Sequence, residues 1–232
     1  MKKILTLSLF AIAVTSTSAF AASIDFRHEY KHDTEANNNR VKISGSTGGN
    51  FYSVEMKFNG SDGYWFNNME RGDSEFEYGY KFTLNDNWAI QPSMPITMGD
   101  HKTTYKPQVR VYYNFDSGIT TKLRYRYGIV DYTSDIENAG KDNYEYGQLT
   151  GNITYTWKDA WNFDFEANYY QNYDKDVLLF DNDNTNYELN LKIGYKIGET
   201  NWRPYAEFGS VAVDKYTSDR QLRSRIGVTY SF

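Results

Sequence analysis

The chain has 232 residues and no cysteine, with 25 Lys and Arg against 30 Asp and Glu and a net charge of −5. Its aromatic share of 18%, which includes 22 Tyr, excludes a disordered chain, and the lack of cysteine excludes a disulfide scaffold. The one long apolar run lies at the N-terminus, so a bundle of membrane-spanning helices is excluded as well.

The first 21 residues have the pattern of a secretory signal peptide. Lys2 and Lys3 are followed by an apolar run over residues 4–14 and by a small-x-small cleavage signal at residues 19–21. We therefore predict a signal peptide over residues 1–21 and a single domain over residues 22–232. The removed segment carries two lysines and no acid, so the net charge changes from −5 to −7. This acidic balance predicts no nucleic-acid partner.

From residue 22 onward, apolar and polar residues alternate with a period of two, which predicts β-strands. Near the C-terminus, for example, Leu222 and Ile226 have one parity, and Arg223 and Arg225 have the other. No helical period appears, so the predicted fold is all-β. Alternation alone is also compatible with a secreted β-sandwich whose aromatic residues fill a core.

The connections between these strands alternate in length, which favours a barrel over a sandwich. Short turns are predicted at residues 48–49, 85–87, 116–118, 158–160 and 198–200. Long polar loops are predicted at residues 33–39, 60–73, 98–104, 131–143, 173–185 and 211–220. Short periplasmic turns and long external loops are typical of outer-membrane barrels. The prediction is a transmembrane antiparallel up-and-down β-barrel of about 12 strands, surrounded by lipid of the bacterial outer membrane.

Aromatic residues are predicted to mark both membrane interfaces. Trp88, Trp157, Trp161 and Trp202 flank the short turns, and Trp65 lies in a long loop. Tyrosines with the apolar parity lie at the opposite strand ends: Tyr30, Tyr105, Tyr127, Tyr169 and Tyr187. Two such girdles are expected of a barrel in lipid.

If the apolar parity faces lipid, the polar parity faces the bore, and its cations form two groups. The first basic wall lies on the strands at the two chain ends: Arg27, Arg40, Lys42, Arg203, Arg223 and Arg225. The second basic wall lies on the middle strands: Lys106, Arg110, Lys122, Arg124 and Arg126. Closure of a twelve-strand ring puts the two walls opposite each other. Acids are expected in the quadrants between them: Glu55, Glu75, Glu77, Asp164, Glu166 and Glu188.

Two facing rows of cations predict an anion-selective channel. A twelve-strand bore is roughly 10 Å across, which admits a single sugar chain. Arginine binds carboxylates in bidentate geometry. We therefore predict facilitated diffusion of acidic mono- or oligosaccharides, without a cofactor. The alternative is that the charges in the bore pair across strands, make the wall rigid and do not act on solutes.

Other functions have weaker support in the sequence. The three histidines, His28, His32 and His101, form no recognisable catalytic group, although a barrel hydrolase using His101 is an alternative. The run at residues 181–185 resembles a calcium loop but lacks Gly at its sixth position and has Lys192 at its twelfth, so we predict no metal. A structural or adhesive barrel acting through its acidic loops is a further alternative.

Several segments resemble a known family. They are residues 23–29 (SIDFRHE), 105–110 (YKPQVR), 123–126 (LRYR), 149–153 (LTGNI), 201–205 (NWRPY) and 220–232. Together they resemble the oligogalacturonate-specific porins, the family that also includes the sialic acid channel. The resemblance implies a monomeric twelve-stranded barrel that admits acidic sugars by passive diffusion along two opposed basic tracks. Fragments of pectin, alginate and sialic acid are all compatible substrates. The implied track residues are Arg27, Arg40, Lys106, Arg110, Arg124, Arg126, Arg203, Arg223 and Arg225.

Overall fold

The computed structural model describes residues 21–60, 69–132 and 143–232. The strands of these residues are β1 (Ala21–Lys31), β2 (Ala36–Thr47), β3 (Asn50–Gly60), β4 (Met69–Tyr80), β5 (Phe82–Thr83), β6 (Trp88–Met98), β7 (Lys102–Tyr105), β8 (Gln108–Asn114), β9 (Ile119–Tyr132), β10 (Asn143–Trp157), β11 (Trp161–Asn172), β12 (Thr185–Tyr195), β13 (Trp202–Ala212) and β14 (Arg220–Ser231). Within these ranges no helix is long and apolar enough to cross a membrane. The predicted signal peptide, except for Ala21, lies outside the described residues, as does Trp65.

The strands form one closed antiparallel sheet. Strands that follow one another in the chain pair, apart from β4 with β5 and β7 with β8, and β1 pairs with β14, which closes the ring. β4 and β5 belong to one crossing of the wall, and β7 and β8 belong to another, so the fourteen described strands make twelve crossings. The prediction of an antiparallel up-and-down barrel of about 12 strands is confirmed.

Prolines interrupt the ladder on two neighbouring crossings without shifting its register. β6 pairs with β7 at Ile96 and Tyr105 and with β8 at Ser93 and Gln108, and the same register runs through both pairings. Pro95 and Pro107 lie in the interval between them and have no N–H to donate. Their carbonyl groups still accept, since the N–H of Lys106 donates to Pro95 at 2.9 Å. The inward and outward parities therefore continue across the interruption.

The distribution of polar and apolar side chains is the reverse of that in a soluble protein. Among the described residues, the buried side chains include Glu29, Glu55 and Arg223. Large apolar residues lie on the outer surface, such as Leu123, which is 55% exposed, and Ile153, which is 53% exposed. A sandwich would bury the apolar parity and expose the charges. This pattern excludes the sandwich and is the one expected of a barrel in lipid.

The short turns and the tryptophans define the periplasmic end of the barrel. Trp88, Trp157, Trp161 and Trp202 all lie on the outside next to short turns and are 38% to 46% exposed. The start of β1 and the end of β14 lie at this end as well, because the N–H of Phe232 donates to the carbonyl oxygen of Ala22 at 2.8 Å. The predicted aromatic girdle at this end is confirmed for the four described tryptophans.

Two of the six connections predicted to be long are short. β2 already begins at Ala36, so the first external connection spans only residues 32–35, and the connection between β6 and β7 spans residues 99–101. The sequence places three asparagines at residues 37–39, and such a run is typical of a loop. Pairing overrides this preference, since Asn38 lies opposite Glu29 and donates to its carboxylate at 3.2 Å.

Candidate functional site

All eleven residues predicted for the basic walls lie on the inward parity of the barrel. The first basic wall is carried by β13, β14, β1 and β2, which are neighbours through ring closure. The second is carried by β8, β9 and the segment between β7 and β8 that contains Lys106. In the twelve-crossing ring, β1 and β9 are six crossings apart. The walls therefore face each other across the bore.

The first basic wall is largely neutralised by carboxylates. Arg225 forms ion pairs with Glu29, at 2.6 Å, and with Glu207. Arg40 forms ion pairs with Asp25 and with Glu55, the second at 3.3 Å. The other ion pairs of this wall are those of Lys42 with Glu55, at 4.0 Å, and of Arg223 with Glu188, at 3.3 Å.

Acids also lie within the first wall itself, in addition to those expected in the quadrants between the walls. Asp25 and Glu29 have the same parity as Arg27 on β1, and Glu207 has the same parity as Arg203 on β13. A period of two puts every second residue on the inner face whatever its charge. Most of the first basic wall therefore agrees with the alternative to an anion pathway, in which the charges of the bore pair across strands.

The second basic wall is different, because its arginines have only neutral partners. Arg124 donates to the hydroxyl of Thr150 at 2.8 Å, and Arg126 donates to the amide oxygen of Gln108 at 2.7 Å. Arg110 donates to the hydroxyl of Tyr112 at 3.2 Å. None of these three arginines forms an ion pair within the residues that the structure describes. Only the lysines of this wall are paired, Lys106 with Glu75 at 2.9 Å and Lys122 with Asp164 at 3.5 Å.

Like charges also face each other directly across neighbouring strands. Arg110 lies opposite Arg124 in the β8–β9 pairing, and Arg27 lies opposite Arg40 in the β1–β2 pairing. Like charges at directly opposed positions destabilise a sheet. In the described chain, Arg27 and Arg203 resemble the second-wall arginines in having no ion pair. These five arginines can therefore bind an anion without first losing a carboxylate partner.

Two further lysines, which were not predicted as part of either basic wall, line the bore beside Arg203. Lys192 and Lys196 line a cavity of about 320 Å³ at the periplasmic end of the bore, together with Arg203 and the ring of Tyr205. Its described lining contains no carboxylate. The Nζ of Lys192 lies 3.7 Å from the centre of the Tyr205 ring. The inward parity of Glu188 could have identified both lysines, because they lie four and eight residues further along the same strand pattern.

The histidines are in different environments. His28 lies on the outward parity, is buried, and its Nδ1 is 3.0 Å from Oδ1 of Asn39. The Nε2 of His32 is 2.9 Å from the hydroxyl of Ser224. His101 lies in the external connection between β6 and β7. No group of three or more His, Cys, Asp or Glu able to hold a metal ion is found in residues 21–60, 69–132 and 143–232.

Two acids of the described external loops accept hydrogen bonds from the backbone of their own turns. Asp214 accepts hydrogen bonds from the N–H groups of Tyr216, at 2.6 Å, and Thr217, at 2.9 Å. These two backbone hydrogen bonds lower the pKa of Asp214. Asp183 accepts from the N–H of Asn184 at 2.6 Å. These contacts fix turn geometry, and they do not favour the adhesive alternative.

Comparison with known proteins gives consistent matches. Residues 15–232 match the family model described as "Oligogalacturonate-specific porin protein (KdgM)". The oligogalacturonate-specific porin KdgM of Dickeya dadantii is 33% identical over 99% of this chain and 100% of its own length. The N-acetylneuraminic acid outer membrane channel protein NanC of Escherichia coli is 25% identical over 65% of this chain and 64% of its own length. The solved structure of the KdgM porin in complex with disordered oligogalacturonate is 27% identical, with a TM-score of 0.66 over 90% of this chain and 99% of that one.

Proposed function

Since the chain belongs to the oligogalacturonate-specific porin (KdgM) family, we propose that its barrel carries acidic mono- and oligosaccharides across the outer membrane by facilitated diffusion. Porins of this family are outer-membrane channels and are not enzymes. The barrel supplies a path, and no covalent step is needed.

The observation that carries the proposal is the set of five arginines without a carboxylate partner. Arg27 and Arg203 lie on one side of the bore, and Arg110, Arg124 and Arg126 lie on the other. An isolated cation in a bore is costly, and a passing carboxylate offsets this cost by forming charge-assisted hydrogen bonds. Several weak sites in series allow a charged chain to enter and to leave again.

The other predicted residues of the two walls are paired with carboxylates and have a structural role. We propose that Arg40, Arg223 and Arg225, locked to carboxylates, fix the shape of the first wall while contributing electrostatic potential. Lys42, Lys106 and Lys122 are also paired with carboxylates, and we propose that these ion pairs hold the strands beside the five arginines that lack a carboxylate partner. We also propose that residues 1–21 are a cleaved signal peptide and that the barrel is a monomer.

Two known relatives support the choice of an acidic sugar. One is named for oligogalacturonate and the other for N-acetylneuraminic acid, and both sugars carry carboxylates. We propose the shared chemistry, a sugar ring with a carboxylate, as the substrate class of this chain.

The test is a single-channel recording in a planar bilayer. We expect discrete conductance steps, a reversal potential in a salt gradient that reports anion preference, and current block by trigalacturonate, alginate oligomers or sialic acid, added in turn. Maltotriose, a neutral sugar of similar length, serves as the matched control and should not block. Cation-selective pores that none of the three acidic sugars blocks would overturn the proposal.

A further inference from the structure

A cavity of about 380 Å³ lies at the external end of the bore. Its lining reaches from Asp73 on β4 to Glu188 on β12, and these two strands are six crossings apart in the ring. The cavity therefore extends across the width of the barrel mouth. Small-molecule sites have volumes of roughly 300–1,000 Å³, so this volume is sufficient for a sugar ring.

This cavity has a composition different from that of the basic walls. Three tyrosines, Tyr144, Tyr146 and Tyr170, contribute from β10 and β11, and Leu179 contributes from the loop that follows β11. A Cβ atom at Gly128 would be only 2.1 Å from Cε1 of Tyr146, so the ring of Tyr146 covers the backbone of Gly128. Such close approach is possible only over glycine. The ring of Tyr146 therefore packs against the barrel wall at a position where it also lines the cavity.

Leu179 is held at the mouth by a small hairpin. The N–H of Leu179 donates to the carbonyl of Asp183 at 2.7 Å, and the N–H of Asp183 donates back to Phe180 at 2.8 Å. Asp181 and Asn182, between them, have φ angles of 52° and 58°. Two successive positive φ angles are typical of a type I′ turn, for which Asp and Asn are well suited. The acidic run that resembles a calcium loop is thus a turn.

The hairpin is also tied to the neighbouring loop and to the barrel rim. The side chain of Asn182 donates to the carbonyl of Tyr216 at 2.6 Å, and its backbone N–H donates to Lys215 at 3.0 Å. Phe180 is not part of the described lining of the cavity, and the guanidinium of Arg220 lies 5.1 Å from the centre of its ring. Leu179 therefore has a fixed position.

Resting on the proposed function, we infer that this cavity is an entry site that recognises the apolar face of a sugar ring. Tyr146, Tyr170 and Leu179 offer apolar and aromatic surface, and Lys102 supplies a positive charge at the same cavity, whose described lining also contains the carboxylates of Asp73 and Glu188. The five arginines without a carboxylate partner, which lie further along the bore, attract any anion. The entry site distinguishes acidic saccharides from simple anions, because chloride has no apolar face to pack on these side chains.

The experiment compares Leu179→Ser with Val177→Ser in the same planar-bilayer assay. Val177 is an apolar residue of the same loop and does not line the cavity. We expect Leu179→Ser to weaken current block by trigalacturonate about tenfold, as expected for the loss of apolar packing of this size. Chloride selectivity and open-channel conductance should be unchanged, and Val177→Ser should behave like the wild type. Tyr146→Ser, a second variant on the barrel wall, should show the same selective loss.

The outcomes separate this inference from the proposed function. Unchanged block in both Leu179→Ser and Tyr146→Ser, with the wild type blocked normally, would overturn the entry site and leave the channel function in place. Equal weakening in Val177→Ser and Leu179→Ser would also overturn it, because the effect would then belong to the loop in general. A wild-type channel that no acidic saccharide blocks would overturn the proposed function and the entry site together.

Discussion

Replacing Arg124 and Arg126 together by Ser should abolish most of the anion preference of the channel and weaken trigalacturonate block by about 100-fold. Each arginine can make a charge-assisted hydrogen bond worth about 1.5–3 kcal/mol, and each factor of ten in affinity corresponds to about 1.4 kcal/mol. Neither side chain is held by a carboxylate in the described structure, so both are available to a solute. Reversal potentials and block constants in planar bilayers measure the effect.

The matched control for this variant is Lys158→Ser with Lys215→Ser. It removes the same two charges from an exposed periplasmic turn and an exposed external loop, away from the arginines of the bore. The control should keep the wild-type selectivity. If Arg124→Ser with Arg126→Ser kept the wild-type reversal potential, the second basic wall would have no role in selectivity.

Arg225→Met, in contrast, should destabilise the barrel by about 3–5 kcal/mol. Its guanidinium contacts both Glu29 and Glu207, and both carboxylates are buried. Removing one partner of a buried ion pair leaves an uncompensated charge, and the penalty has this magnitude. Arg124→Met, which leaves no carboxylate behind, should change stability by less than about 1 kcal/mol. Urea unfolding of the protein in lipid vesicles gives both values.

A rescue variant separates the charge effect from the loss of packing. Adding Glu29→Gln and Glu207→Gln to Arg225→Met removes the uncompensated charges and should restore most of the lost stability. Equal destabilisation by Arg225→Met and Arg124→Met would contradict the distinction between paired and unpaired arginines. Failure of the two glutamine substitutions to restore stability would assign the loss to packing.

The architecture could be predicted from the sequence because successive residues of a strand in a barrel wall face lipid and the bore alternately. The strict period of two assigns Leu123 to lipid and Arg124 to the bore, and the structure places both as this rule requires. Turns such as residues 48–49 were also predictable, since Gly48 has a φ of 57° and glycine readily adopts it. These features depend only on neighbouring residues in the chain.

Charge pairing in the bore could not be predicted in the same way. The parity of Glu29 is visible in the sequence, but its contact with Arg225 joins residues at opposite ends of the chain and depends on register and rotamer. For the same reason, Arg225 and Arg124 are equivalent in the sequence pattern, since both are arginines on the inward parity of a strand. The position of Leu179 is a further example, because it depends on hydrogen bonds between two external loops.

The prolines of β6 and of the β7–β8 crossing have a mechanical consequence. Pro92, Pro95 and Pro107 remove three donors from two adjacent crossings, while the register on both sides stays the same. Hydrogen bonds resist sliding and bending of a sheet, so we expect this strip to bend more readily than a fully bonded stretch of the wall. Bending of this kind leaves the register unchanged, so Arg110 stays on the inside of the barrel and Val109 on the outside. The missing hydrogen bonds therefore do not change which side chains line the bore.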